Sequence, residues 1–145
     1  MAVLLDTNIL VRLANPLSAQ ASIAERALNA LKARGEELQI TPQNLVEFWA
    51  VATRPIAANG LGLTVEEAIK KLSAFKSLFA LLPELSLQSQ WESLVTQYSV
   101  SGKDCHDARL VAAMLVHGTD KILTFNVQDF TRYTRITVLD PRTVS

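Results

Sequence analysis

The sequence predicts an α/β fold, a mostly parallel sheet between two layers of helices, and three observations point there. Short apolar runs recur along the chain at Val3-Leu4-Leu5, Leu38-Gln39-Ile40, near Leu82 to Leu85, at Lys121-Ile122-Leu123-Thr124 and at Ile136-Thr137-Val138-Leu139. Segments with the spacing of amphipathic helices separate most of them, and no two-residue hairpin signal joins any neighbouring pair. The first run, wholly apolar and ending at Asp6, suits a central strand covered on both faces.

After that strand Thr7 is expected to cap a short helix running to Leu13, and Asn15-Pro16 stops it. Ile23, Ala27 and Leu31 mark a helix from Ala19 to Arg34, with Gly35 fitting the position just past its end. Thr41-Pro42 supplies a cap and a first-turn proline for a helix whose apolar face is Leu45, Phe48, Trp49 and Ala52, and Arg54-Pro55 ends it. A loop from Ala57 to Gly62 leads to Thr64 and Glu67. These form a capping box for a long helix carrying Val65, Ala68, Leu72, Phe75 and Phe79. Trp91, Leu94, Val95 and Tyr98 mark a further helix. Asp104 is expected to cap the next, with Leu110, Val111, Met114 and Leu115 inward and His117-Gly118 at its close.

With 145 residues, 49% of them hydrophobic, and no repeat or low-complexity tract, residues 1–145 read as one domain able to bury a core without staples. The single cysteine, Cys105, cannot form an intramolecular bridge, and no Cys/His cluster suggests zinc, so a reducing, cytoplasmic setting is expected. The start Met1-Ala2-Val3-Leu4-Leu5-Asp6 has no basic segment and reaches an acid too early for a signal peptide. No apolar run approaches the roughly 20 residues needed to cross a bilayer, so no membrane association is expected. Formal charge is zero, with 14 basic and 14 acidic residues, so the overall field does not draw the chain to nucleic acid. A nuclease can nevertheless keep its acids in a cleft and its bases on the rim; Arg12, Arg54, Lys103, Arg109, Arg132 and Arg135 all lie near acidic positions in sequence.

The architecture also says where chemistry belongs, because ligands of open α/β sheets bind beyond the carboxyl ends of the strands. Asp6 stands at such an end, and Asp129 follows another strand by a few residues. Glu47 and Asp107 fall in early turns of helices that start at the same rim. Each alone has an ordinary reading: a strand terminus, a loop acid, a solvated helix position, a favourable first-turn charge. Together they are costly, since two unit charges 4 Å apart repel by about 4 kcal/mol at an effective dielectric of 20. A hard cation offsets that, and oxygen-only ligands suit Mg²⁺ or Mn²⁺ better than zinc. A carboxylate-held divalent ion suits hydrolysis of a nucleic-acid backbone. Thr7 and Asn8 could hydrogen-bond a ligand or phosphate, Asn126 could add a neutral oxygen, and Asp104 could support the site if it is not simply a cap. His106 is discounted as a base, because adjacent helix positions point about 100° apart.

Asp6-Thr7-Asn8-Ile9-Leu10 after an apolar strand resembles the opening of PIN domains, in particular the VapC-like toxins of toxin–antitoxin pairs. The resemblance continues through Asn44-Leu45-Val46-Glu47-Phe48, His106-Asp107-Ala108-Arg109-Leu110-Val111-Ala112-Ala113 and Thr124-Phe125-Asn126-Val127-Gln128-Asp129-Phe130, spanning about Val3 to Leu139. It implies a PIN-like three-layer sandwich with about five strands. It further implies a Mg²⁺- or Mn²⁺-dependent endoribonuclease acting on RNA, a homodimer, and a small antitoxin that enters the active groove. Asp6, Glu47, Asp107 and Asp129 correspond to the catalytic, metal-binding acids. One departure is visible: some relatives carry the fourth acid at the position of Asn126, so the fourth place here falls to Asn126 or Asp129.

A haloacid-dehalogenase-type phosphatase would need a second acid two residues after the first, where Asn8 stands. A receiver domain would need paired acids at the first strand and an aspartate after the third, and neither is evident. A non-catalytic PIN-like module binding RNA or protein, or a housekeeping RNA-processing nuclease, remains the alternative to a toxin.

Overall fold

The computed structural model describes residues 1–145. Five strands, β1 (Ala2–Leu5), β2 (Glu37–Ile40), β3 (Ala80–Leu81), β4 (Lys121–Leu123) and β5 (Thr137–Leu139), form one sheet in the order β3-β2-β1-β4-β5. Every neighbouring pair is parallel. The connections carry six α-helices: α1 (Thr7–Leu13), α2 (Ala19–Ala33), α3 (Pro42–Ala52), α4 (Val65–Leu78), α5 (Gln88–Gln97) and α6 (Cys105–His117). No helix is long and apolar enough to cross a membrane.

The sheet separates two apolar cores, as strand alternation requires. Val3, Leu5, Leu38 and Ile40 face a core shared with α1 to α4, where Phe48 and Phe75 meet edge to face at 5.0 Å. Leu4 and Ile122 face the other, shared with α5 and α6 through Leu94, Val111 and Met114. Because β1 is central, Val3, Leu4 and Leu5 are all fully buried, which accounts for its unbroken apolar run. Local signals fix several helix ends. Thr41 and Asn44 make a reciprocal capping box on α3, Thr64 and Glu67 do so on α4, and Gly118 takes the left-handed conformation, φ 76°, that closes α6.

Three local expectations are corrected. The α1 cap is Asp6, whose side chain accepts from the Thr7 backbone, so Thr7 is the first helical residue. Asp104 makes no capping hydrogen bond; it has helical backbone angles inside a 3₁₀ turn, Gly102–Asp104, that runs directly into α6. The third strand is Ala80–Leu81, not Leu82 to Leu85. Leu82 still donates its N–H to Ile40 O at 2.8 Å, but Pro83 has no donor with which to extend the ladder, and Glu84 and Leu85 turn out to solvent.

Candidate functional site

The register of the two central strands creates the floor of the site. Leu5 lies opposite Leu123, so the next residues, Asp6 and Thr124, emerge side by side at the carboxyl edge. Thr124 donates its hydroxyl to Asp6 Oδ2 at 2.8 Å, Thr7 N–H donates to Oδ1 at 2.8 Å, and Asn8 Nδ2 lies 3.3 Å from Oδ2. Asn8 also donates to Thr124 Oγ1 at 3.2 Å, and its Oδ1 accepts from Phe125 N–H at 3.3 Å, tying α1 to the segment after β4. Asp6 is thereby held at 7% exposure with both carboxylate oxygens engaged.

Glu47 reaches the same edge from α3. Its Oε1 accepts from the Thr7 hydroxyl at 2.6 Å and its Oε2 from Gln43 Nε2 at 3.0 Å. Thr7 is oriented in turn by Asn44, which is fully buried and donates to Thr7 Oγ1 at 3.0 Å. Asp107 stands in the first turn of α6, half-buried, and Asp129 ends an exposed 3₁₀ turn, Val127–Asp129.

The acids act on one another. Burial raises the Asp6 carboxyl to about 6, against the hydrogen bonds from Thr124 and Thr7, and the charges of Glu47 and Asp129 add to the rise. Burial also raises Asp107 to about 7, followed by the charges of Asp6, Asp129, Glu47 and Asp104. The four predicted acids therefore share one electrostatic neighbourhood, with Asp104 at its border. Asp104 is engaged by Arg132 at 3.4 Å.

Of the basic residues near the acids in sequence, Arg109 bonds Gln43 and Glu84, and Arg54 donates to Asn59 O within its own loop. Asn126 donates its backbone N–H to Thr124 Oγ1 at 2.9 Å, while its side chain is exposed. His106 contributes its carbonyl, which accepts from Gln43 Nε2 at 2.8 Å. Sequence reasoning passed over Thr124, Asn44 and Gln43. The signal for Thr124 was available: it follows β4 as Asp6 follows β1, and parallel neighbours deliver such residues to one spot.

No three His, Cys, Asp or Glu side chains are grouped tightly enough to enclose a metal ion. The arrangement is an open one of oxygen donors with excess negative charge. Its donors are oxygens, the kind that a hard ion such as Mg²⁺ takes while keeping several of its waters, and not the nitrogen and sulfur that zinc prefers.

Comparison with solved structures places the fold. The chain is similar to VapBC2 from Rickettsia felis bound to a promoter DNA fragment, with TM-score 0.73 and 18% identity over 97% of this chain and 98% of that one. It is similar to FitAcB from Neisseria gonorrhoeae, with TM-score 0.66 and 18% identity over 99% of each chain. A third similar structure is VapC20 from Mycobacterium tuberculosis, described as a sarcin-ricin loop cleaving toxin, with TM-score 0.62 and 17% identity over 83% of this chain and 86% of that one. No curated protein matches in sequence. A family model described as PIN domain matches residues 2–128, which takes in β1 to β4, all six helices and three of the four acids, and the chain accordingly belongs to the PIN domain family.

Proposed function

We propose that this protein is a Mg²⁺- or Mn²⁺-dependent endoribonuclease, the toxin of a toxin–antitoxin pair. The observation that carries the reading is the placing of Asp6, bonded to Thr124, and of Glu47, bonded to Thr7, at the carboxyl edge of a parallel sheet, where burial raises Asp6 and Asp107 and the charge of Asp6 adds to the rise at Asp107. Asp6, Glu47 and Asp107 would hold the ion, directly or through water, with Asp129 completing or orienting its surroundings. When bound, such an ion lowers the pKa of water and offsets charge on the scissile phosphodiester.

The residues around the acids prepare them for that role. Thr124 and Asn8 fix the Asp6 carboxylate, and Thr7 and Gln43 fix that of Glu47, so neither side chain needs to search for its orientation. Membership of the PIN family supports a nuclease, and likeness to a sarcin-ricin loop cleaving toxin favours RNA as substrate. Likeness to chains from VapBC and FitAB complexes supports a small antitoxin as partner.

The test is cleavage of a structured RNA with Mn²⁺ or Mg²⁺ by the wild type and by Asp6→Asn. Cleavage should disappear in the variant and in excess chelator, while the far-UV circular dichroism spectrum stays unchanged. Equal cutting by Asp6→Asn, or full activity in chelator, would overturn the proposal. Metal-independent RNA binding without cut products would instead establish the non-catalytic module.

A further inference from the structure

The side-chain amide of Gln43 joins α3, which carries Glu47, to α6, which carries Asp107. Its Nε2 donates to Glu47 Oε2 at 3.0 Å and to the His106 carbonyl at 2.8 Å, while its Oε1 accepts from Arg109 Nη1 at 2.9 Å. An amide has two N–H donors and one carbonyl, and here both ends are used with the correct polarity, so the group cannot turn over without losing all three bonds. Arg109 is itself held by Glu84 at 3.4 Å. The chain of contacts is therefore Glu84, Arg109, Gln43, Glu47, and it crosses between segments 63 residues apart at the point where two of the acids converge.

We propose that Gln43 is a positioning residue that sets the spacing and orientation of Glu47 relative to the first turn of α6. The inference rests on the metal-nuclease reading above. Glu47 is clamped from two sides, by Thr7 on Oε1 and by Gln43 on Oε2. The Thr7 contact anchors it to the Asp6 segment, and only the Gln43 contact refers it to the Asp107 segment. Partners of this kind orient ligands and tune affinity without touching substrate.

The discriminating variant is Gln43→Met, which keeps the length of the side chain and removes all three hydrogen bonds. Gln88→Met is the control, because Gln88 forms the same kind of bond with Glu92 one turn on, at 3.1 Å, on α5. Mn²⁺ binding is followed by electron paramagnetic resonance of free Mn²⁺, and RNA cleavage over a range of Mn²⁺ concentrations. Gln43→Met should bind Mn²⁺ about tenfold or more weakly, within the range for loss of a ligand's hydrogen-bond partner. Its cleavage should fall at limiting Mn²⁺ and recover at saturation; Gln88→Met should match the wild type. If Gln43→Met does not fold, Gln43→Ala carries the same test, since it removes the three hydrogen bonds without adding charge or a ligand. Unaltered Mn²⁺ affinity in a folded variant, with an active wild type, overturns this inference alone. A wild type that neither binds Mn²⁺ nor cuts RNA overturns the nuclease reading and this inference with it.

Discussion

Asp6 does two jobs at once: its Oδ1 closes the first turn of α1, and its Oδ2 takes the hydroxyl of Thr124. Thr124→Val keeps the shape of that neighbour and removes its hydroxyl. The Asp6 carboxyl should then rise further, and the backbone N–H of Asn126 should lose its acceptor. We expect a loss of about 1–3 kcal/mol in urea unfolding, the usual cost of leaving buried polar groups unpaired, together with weaker Mn²⁺ binding. Titration gives a second prediction. Folded Asp6 and Asp107 hold their protons more tightly than the unfolded chain does, at about 6 and about 7 against 3.8. Protonation therefore favours the metal-free fold, and the benefit is complete below 3.8 and lost as pH rises through those two values. Metal-free Asp107→Asn should accordingly be more stable than wild type at pH 8, with the gap narrowing as the pH is lowered toward 4. Thermal unfolding in chelator across that range checks it, and a gap that widens on acidification would refute it.

Among the elements, α3 shows how a cap can serve a site. Asn44 Oδ1 accepts from Thr41 N–H at 2.8 Å to complete the capping box, while its Nδ2 holds Thr7. Asn44→Ala should therefore destabilise the fold by about 1–3 kcal/mol and also free the Thr7 hydroxyl that orients Glu47. Chemical unfolding measures the first effect; the slower cleavage expected at limiting Mn²⁺ measures the second. The cap of α3 was plain in Thr41-Pro42, as was that of α4 in Thr64 and Glu67, because capping is written in residues three apart. The central place of the first strand and the inward faces of the helices were legible for a similar reason, since apolar pattern and burial go together. What escaped depends on distant partners. The β3 strand exists only because Ala80 and Leu81 lie against Gln39 and Ile40, and nothing local distinguishes them from Leu82. Asp104 has the side chain of a cap without the backbone angles of one. The neighbourhood of Asp6 and Asp107 could be read from a strand end and a helix start, whereas Gln43 looked like any polar residue in a first turn until Arg109 and His106 were brought beside it.

For the molecule as a whole, the two cores make the sheet a shared wall, and damage to one side should reach the other. Phe48 is fully buried against its neighbours, Phe75 among them, so Phe48→Ala should cost about 3–5 kcal/mol in urea unfolding. An ion that binds only the folded state at 100 times its dissociation constant adds about 2.7 kcal/mol. Wild type should gain that much in Mn²⁺ and lose it to chelator, whereas Asp6→Asn should gain almost nothing; equal gains in both would remove Asp6 from the binding set. Finally, the hydroxyl that secures Asp6 lies 118 residues further along the chain. A ribosome that has made the first strand has thus made a carboxylate without its hydroxyl partner, and the edge is completed only once β4 has emerged and inserted beside β1. The carboxylate edge is thus among the last features the growing chain can complete, because its two halves come from opposite ends of the sequence.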